Sequence, residues 1–229
     1  MKVVLLPGLD GTGTLFKPLI DALPKGVEVL VISYPPDIKL NYDELVEFVV
    51  GKLPEEDFIM VGESFSGPIA YQVALRTPKN IKSVIFVATF LDNPRPFLLD
   101  LSRLLPTSLI FSLPIPDFII KSFLFNKTVS KRIVDLFKES LKQVSYGVLS
   151  FRLKQISLLT EKHDTCNIKA SYIQATGDKL VSRNCVEAYK KVFNNIEIFQ
   201  VEGSHFVLQT NPIACAEIIV NEINYVSNH

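Results

Sequence analysis

The stretch that decides the fold reads Phe-Ile-Met-Val-Gly-Glu-Ser-Phe-Ser-Gly at residues 58–67. An apolar run leads into Gly62, and Ser64 follows two positions later. The next positions include two residues with small side chains, Ser66 and Gly67. This arrangement is typical of a sharp strand-to-helix turn that exposes a serine hydroxyl at the edge of a sheet. The sequence therefore predicts a nucleophile at Ser64, although Ser66 occupies the position of the second glycine in the usual G-x-S-x-G pattern.

Short runs rich in valine and isoleucine recur along the chain, and most are followed by a helical pattern. Near-continuous apolar runs indicate parallel strands that are covered on both faces. Their alternation with helices predicts an α/β fold with a doubly wound, mostly parallel six-stranded sheet. The predicted strands are Lys2–Leu6, Val27–Ser33, Phe58–Val61, Ser83–Ala88, Ser171–Ala175 and Ile196–Val201. The predicted helices between them are Leu15–Leu23, Tyr42–Leu53, Phe65–Arg76, Cys185–Val192 and Pro212–Tyr225.

One interval, residues 92–166, interrupts this alternation. It contains proline-rich joints and two amphipathic segments, Lys131–Val144 and Val148–Leu159. About 70 residues without a strand favour an inserted helical cap, or lid, over ordinary helical packing against the sheet. We therefore assign residues 1–91 and 167–229 to the core. Phenylalanines are concentrated in the cap, among them Phe97, Phe111, Phe118, Phe123 and Phe125.

A serine nucleophile needs a neighbouring base, and ligands of such sheets bind past the carboxyl ends of the strands. His205 lies on the loop after the last predicted strand and is the candidate base. Asp178 lies on the loop after the fifth strand and is the candidate acid that orients the imidazole. Asp164 is the competing acid, but it precedes that strand. The other two histidines are His163, at the end of the cap, and His229, the last residue.

The loop after the first strand reads Pro-Gly-Leu-Asp-Gly-Thr-Gly at residues 7–13. Its three glycines allow close approach of the backbone, so it is the candidate source of one oxyanion donor. We expect the Leu9 N–H to serve, with the Asp10 N–H as the weaker choice, and the Phe65 N–H to be the second donor. The alternative is a phosphate loop, but the segment lacks the Lys-Ser/Thr pair and the spacing of known nucleotide motifs.

These motifs, together with Gly-Asp-Lys-Leu-Val at 177–181 and Gly-Ser-His-Phe at 203–206, resemble those of the α/β-hydrolase superfamily. The motifs look like those of small bacterial esterase-like members with a PGLDGTG loop. The resemblance implies a nucleophile at Ser64, an acid at Asp178, a base at His205 and a lid formed by the insertion. It also implies that the chain begins at the family's third strand, without the first hairpin. Where the family commonly has His-Gly in the oxyanion loop, this chain has Pro7-Gly8.

Bulk composition narrows the possible partners. Of the 229 residues, 48% are apolar, which predicts a sizeable core. The chain carries 24 basic and 24 acidic side chains, and this balance of charge gives no indication of nucleic-acid binding. Three scattered cysteines fit neither a disulfide framework nor a zinc signature, and no metal or other cofactor is implied. We expect a cytoplasmic protein without a signal peptide. We also expect no integral membrane segment, because prolines interrupt the most apolar stretch, Leu104–Ile120. Membrane attachment through that stretch is an alternative, and the oligomeric state is open.

The predicted function is that of a carboxylesterase- or thioesterase-like serine hydrolase acting through an acyl-serine intermediate. The aromatic cap favours a small-molecule substrate with an apolar acyl or ring group. One alternative is acyl transfer to an alcohol by the same three residues. Another is a hydrolase-fold protein that binds a small molecule without turnover, since a fold alone does not imply a function.

Overall fold

The computed structural model describes residues 1–76, 79–94, 121, 124–125, 129–160 and 163–228. Within them, six strands form one parallel sheet in the order β2-β1-β3-β4-β5-β6. The doubly wound α/β class predicted from the sequence is thereby confirmed. The strands are β1 Lys2–Leu6, β2 Glu28–Val31, β3 Phe58–Glu63, β4 Ile81–Val87, β5 Lys169–Ala175 and β6 Ile196–Val201.

Helices cover both faces of this sheet. The α-helices are α1 Lys17–Ala22, α2 Tyr42–Val50, α3 Gly67–Leu75, α4 Lys131–Lys142, α5 Tyr146–Ser157, α6 Val186–Val192, α7 Val207–Thr210 and α8 Pro212–Ser227. Alternate residues of β1 point to opposite sides: Val4 packs with α2, α3 and α6, whereas Val3 packs with α1, α7 and α8. The two cores together bury the apolar residues of every central strand, as expected for parallel strands.

The edge strand β2 ends earlier than predicted, because Ser33 and Tyr34 form hydrogen bonds with the loop after β1. The Tyr34 N–H donates to the Gly11 carbonyl (2.8 Å), and the Ser33 hydroxyl donates to the Thr12 carbonyl (2.6 Å). These bonds replace the regular strand ladder from position 33 onward.

The chain reverses direction across the sheet between β1 and β3. It leaves β1 towards β2 on one side and returns to β3 on the other, while Leu6 at the end of β1 pairs with Gly62 in β3. Such a reversal separates the loops that follow the two strands and opens a crevice past their carboxyl ends. The loop after β1 and the turn at Ser64 flank this crevice.

Two helices of the predicted cap fall within the described residues. Ser130 and Ser145 stand at the start of α4 and α5, and each side chain accepts a hydrogen bond from a backbone N–H three positions later. The Ser145 N–H also donates to the Pro36 carbonyl (2.9 Å), which ties the start of α5 to the segment after β2. The boundaries 92 and 166 stay a prediction. Leu104–Ile120, Phe97, Phe111, Phe118, Phe123 and His229 lie outside the described residues.

None of the helices in the described part of the chain is both long enough and apolar enough to cross a bilayer.

Candidate active site

Ser64 occupies a strained turn between β3 and α3. Its φ angle of 49° is in the left-handed region, which is uncommon for a residue with a side chain and typical of functional turns. Helix α3 packs closely over the end of β3, since a Cβ added to Gly62 would lie 2.8 Å from the Ala70 Cβ. The turn therefore leaves Ser64 partly exposed at the carboxyl edge while the residues around it are buried.

The structure brings Ser64, His205 and Asp178 together. The Nε2 atom of His205 lies 2.8 Å from Ser64 Oγ, and its Nδ1 atom lies 2.8 Å from Asp178 Oδ2. An ionised carboxylate only accepts hydrogen bonds, so a neutral imidazole donates from Nδ1 to Asp178 and leaves the Nε2 lone pair facing the hydroxyl. The His205 and Asp178 side chains are 7% and 5% exposed, which keeps water from competing for these bonds.

Asp178 is held in place by its own loop. Its Oδ1 atom accepts hydrogen bonds from the backbone N–H groups of Leu180 (2.8 Å) and Val181 (2.9 Å). The second carboxylate oxygen then remains for His205. This Asx-type arrangement fixes the acid in the direction that the imidazole needs.

The competing residues lie elsewhere. The Nε2 atom of His163 is 2.6 Å from Asp92 Oδ1, and the Asp164 carbonyl accepts a hydrogen bond from the Tyr71 hydroxyl (2.8 Å). Neither is bonded to Ser64 or His205.

The loop after β1 lies beside Ser64. A Cβ added to Gly8 would be 3.9 Å from the Ser64 Cβ, an ordinary van der Waals distance, so this part of the loop is in contact range of the nucleophile. All seven carbonyls of the loop accept a hydrogen bond, which fixes the orientation of its peptide groups. In order from position 7 to 13, the donors are Ser66 Oγ, Gly11 N, Arg152, Arg152, Tyr34 N, Ser33 Oγ and Phe16 N.

The peptide before the predicted donor Phe65 is fixed in the same way. The Ser64 carbonyl accepts hydrogen bonds from the Thr89 hydroxyl and from the Gly67 N–H. Because C=O and N–H point in opposite directions in a trans peptide, the Phe65 N–H is directed away from Thr89. A Cβ at Gly67 would collide with Thr89 Oγ1, so glycine at this position permits the bond.

Two of the departures from the family pattern, Ser66 and Pro7, contact each other. Ser66 is completely buried, and its hydroxyl donates to the carbonyl of Pro7 while lying 2.5 Å from the Tyr34 hydroxyl. A glycine could not form this link between the turn at Ser64 and the loop after β1. Ser66 and Tyr34 are thus structural parts of the site that the sequence motifs did not assign.

A second carboxyl group lies beneath the site. Glu63 is 4% exposed and accepts a hydrogen bond from Gln209 Nε2 (3.0 Å) on α7. Burial raises the pKa of Glu63 to about 7, and the nearby Asp10 carboxylate adds to the rise while Gln209 and His205 oppose it. The Gln209 Oε1 atom is buried without a hydrogen-bond partner among the described residues.

Aromatic residues of the cap region pack against the loop that carries His205. Phe125 stacks on Phe206 with ring centroids 4.6 Å apart, and Phe137 of α4 meets Phe206 edge-on at 5.3 Å. Phe206 in turn contacts the His205 ring at 5.4 Å. The side of His205 that faces Phe206 is therefore apolar.

Besides Ser66 and Tyr34, sequence reasoning missed Arg152 and Thr89 as parts of the site. Thr89 follows β4 at the carboxyl edge, so its position was a usable signal. Arg152 lies in the middle of α5, 143 positions after the Leu9 carbonyl that it contacts, and no local pattern marks it. Within the described residues, no group of three or more His, Cys, Asp or Glu side chains is arranged to hold a metal ion.

Comparison with known proteins agrees with this architecture. Residues 2–109, slightly less than half of the chain, match the family described as alpha/beta hydrolase fold. The solved enol-lactonase of Burkholderia xenovorans LB400 has a TM-score of 0.77 at 15% identity, with 97% of this chain and 91% of that chain covered. The chain has the α/β-hydrolase fold.

Two curated proteins are also similar over part of this hydrolase-fold chain. Polyketide synthase ThaQ of Burkholderia thailandensis is 32% identical over 98 residues, and phytyl ester synthase 1, chloroplastic, of Arabidopsis thaliana is 31% identical over 122 residues. The matches cover 38% and 49% of this chain but 5% and 17% of the two relatives. The chain thus spans less than a fifth of either relative.

Proposed function

We propose that this chain is an esterase-like serine hydrolase of the α/β-hydrolase superfamily, cleaving a carboxylic ester or thioester through an acyl-serine intermediate. The observation that carries the proposal is the 2.8 Å contact between His205 Nε2 and Ser64 Oγ, backed by the 2.8 Å contact between Nδ1 and Asp178. A serine hydroxyl becomes an effective nucleophile when a correctly oriented base removes its proton.

In the first half of the reaction, Ser64 Oγ attacks the carbonyl carbon while His205 Nε2 takes the hydroxyl proton. The carbonyl π electrons move to its oxygen, which the N–H groups of Leu9 and Phe65 stabilise. Asp178 holds the Nδ1–H and stabilises the imidazolium. When the tetrahedral intermediate collapses, the bond to the leaving oxygen or sulfur breaks and His205 returns the proton to it.

In the second half, water attacks the acyl-serine. His205 removes a proton from the water, the same two N–H groups stabilise the second oxyanion, and Ser64 leaves as the hydroxyl after receiving the proton from His205. The carboxylic acid is released. No group beyond these residues and water is needed for the proton balance.

Acyl transfer to an alcohol is the second candidate. The similarity to a protein named phytyl ester synthase favours it, because an alcohol in place of water would convert the same acyl-serine into a new ester. Phe206, which is partly exposed beside His205 and is backed by the buried rings of Phe125 and Phe137, would suit an apolar substrate in either reaction.

The test is turnover of p-nitrophenyl esters of increasing acyl length, and of a matching thioester, by the wild type and by Ser64→Ala. We expect turnover by the wild type and none above background by the variant. Ser227→Ala is the matched control, since Ser227 is exposed near the end of α8 and should leave the rate unchanged. Full turnover by Ser64→Ala would reject the nucleophile. Adding an alcohol and measuring free acid against new ester separates hydrolysis from acyl transfer.

A further inference from the structure

Arg152 is a buried cation that no step of the proposed reaction uses. It is 2% exposed and projects from α5 towards the loop after β1. Its Nη1 atom donates to the carbonyls of Leu9 (2.9 Å) and Asp10 (2.7 Å), and its Nη2 atom donates to the Pro35 carbonyl (3.0 Å). Burying a charged group is costly unless it is hydrogen-bonded, and here three carbonyls from two loops accept hydrogen bonds from the guanidinium.

The loop closes tightly around this guanidinium. A Cβ at Gly11 would collide with Arg152 Nη1, and the φ angle of Gly11 is 71°, so the site needs glycine for space and for backbone conformation. The guanidinium carbon lies 5.6 Å from the centre of the Tyr34 ring. Burial lowers the pKa of Arg152, while Tyr34 and Asp10 oppose the change. The guanidinium keeps its charge, because arginine is not deprotonated in proteins.

A short relay of hydrogen bonds connects Arg152 to the predicted oxyanion donor. Arg152 holds the carbonyl of Asp10, whose peptide partner is the Gly11 N–H. That N–H donates to the Gly8 carbonyl (3.0 Å), whose peptide partner is the Leu9 N–H. Because C=O and N–H point in opposite directions in each trans peptide, fixing the Asp10 carbonyl fixes the direction of the Leu9 N–H. Successive hydrogen bonds of this kind also polarise and strengthen one another.

We propose that Arg152 is a positioning residue that holds the Leu9 N–H in the direction required to stabilise the oxyanion. The inference rests on the proposed function and adds to it: a side chain of the cap region organises the oxyanion site of the core. Helix α5 is then a fixed part of the site, anchored by Arg152 at one turn and by the Ser145–Pro36 bond at its start. Any movement of the cap during catalysis would have to leave α5 in place.

The experiment compares wild type, Arg152→Met and Arg152→Lys in kcat, in KM, and in the affinity for an alkyl boronic acid. A boronic acid bonded to Ser64 becomes a tetrahedral boronate with one oxygen in the oxyanion position, so its affinity reports on the transition state, whereas KM reports largely on ground-state binding. We expect Arg152→Met to lower kcat by about 10–100-fold and to weaken boronate binding by the same factor, with KM within about threefold. Lysine cannot place a planar fork of donors across three carbonyls. Arg152→Lys should therefore lower kcat and weaken boronate binding by a common factor, which should be smaller than the factor for Arg152→Met.

Glu222→Gln is the matched control, because it also changes a buried charged group that contacts a cation and hydroxyls, but at the opposite edge of the sheet. The number of reactive serines in each variant is counted by the end-point of fluorophosphonate labelling, so that kcat refers to folded protein. A purely structural role of Arg152 would lower the melting temperature and the number of reactive serines, while kcat per reactive serine and boronate affinity stayed at wild-type values. That result would overturn the inference and leave the proposed function intact.

If Arg152→Met does not fold, Arg152→Lys decides: unchanged kcat and boronate affinity in a folded lysine variant would reject the positioning role. A wild-type protein that neither turns over esters nor labels would instead reject the proposed function, and this inference with it.

Discussion

The buried environment of Glu63 predicts how the free energy of unfolding depends on pH. Glu63 precedes Ser64, is buried, and has a pKa raised from 4.5 to about 7 by loss of hydration. The native state therefore keeps a proton between these two values that the unfolded state has already released. Since the native state binds more protons in this window, its free energy of unfolding falls as the pH rises through it.

Replacing Glu63 by glutamine should remove this part of the pH dependence. Between about pH 5 and about pH 8, the free energy of unfolding of Glu63→Gln should rise relative to that of the wild type by about 2–3 kcal/mol. Urea denaturation of both proteins at the two pH values measures it. Glu55→Gln, which removes an exposed carboxylate, is the control for loss of a charge. Parallel pH profiles for Glu63→Gln and wild type would contradict the raised pKa.

The contact of helix α3 with the segment after β4 depends on Gly67. A side chain there would displace the Thr89 hydroxyl, which holds the Ser64 carbonyl, and would also press on the Tyr189 hydroxyl. Gly67→Ala should therefore destabilise the protein by about 1–3 kcal/mol, as overpacking of a closely packed interface does, and should lower ester turnover. Urea denaturation and the ester assay measure the two effects.

Gly26→Ala is the control for the entropy of the unfolded chain, because no atom lies within 4 Å of the Cβ that it would add. We expect it to change stability by less than about 1 kcal/mol and to leave turnover unchanged. If Gly67→Ala behaved like Gly26→Ala, the close approach between α3 and Thr89 would be wrong.

The secondary-structure elements differ in how much of them could be predicted from sequence. Strand β1 and strand β6 begin and end where their apolar runs do, because the side chains that decide them are local. Strand β2 ends early, since Ser33 and Tyr34 bond to the loop after β1, and that contact depends on the packing of two loops. The helix Val207–Thr210 was not predicted, because its four residues are too few to show a helical period.

At the scale of the whole molecule, two clusters of polar side chains lie at opposite ends of the strands. The proposed site lies at the carboxyl edge, whereas Glu222 of α8 lies among Ser83, Ser171 and Lys169 near the amino ends of β4 and β5. Glu222 is 4% exposed and accepts from Ser83 Oγ (2.5 Å) and Ser171 Oγ (3.2 Å), with Lys169 Nζ at 3.3 Å. This cluster joins the last helix to the sheet and touches no residue of the site.

Glu222→Gln should therefore separate stability from activity. It removes a buried charge-assisted contact with Lys169, so the free energy of unfolding should fall by about 1–3 kcal/mol. The ratio kcat/KM per folded protein should stay within about twofold of wild type, since distant sites act independently. Chemical denaturation and ester kinetics on the same preparations measure both quantities. A large loss of kcat/KM in folded Glu222→Gln would show that the two edges are coupled.

The site as a whole was predictable only in part. Ser64, Asp178 and His205 each lie on the segment that follows a strand. The rule that parallel strands end at one edge was therefore enough to predict that they meet, and the structure brings them together. Their catalytic roles stay a prediction. The hydrogen bonds of Arg152, Thr89 and Tyr34 could not be predicted, because each joins segments far apart in the chain and depends on tertiary packing rather than on a local pattern.

The most direct test of the nucleophile is the position of a covalent adduct. Wild-type protein is treated with a fluorophosphonate, digested, and mapped by peptide mass spectrometry. We predict a single adduct, on Ser64, with a labelling rate at least about 10³-fold lower in His205→Ala. An adduct on a different residue, or a wild type that hydrolyses esters while Ser64 stays unmodified, would contradict activation of Ser64 by His205 and Asp178.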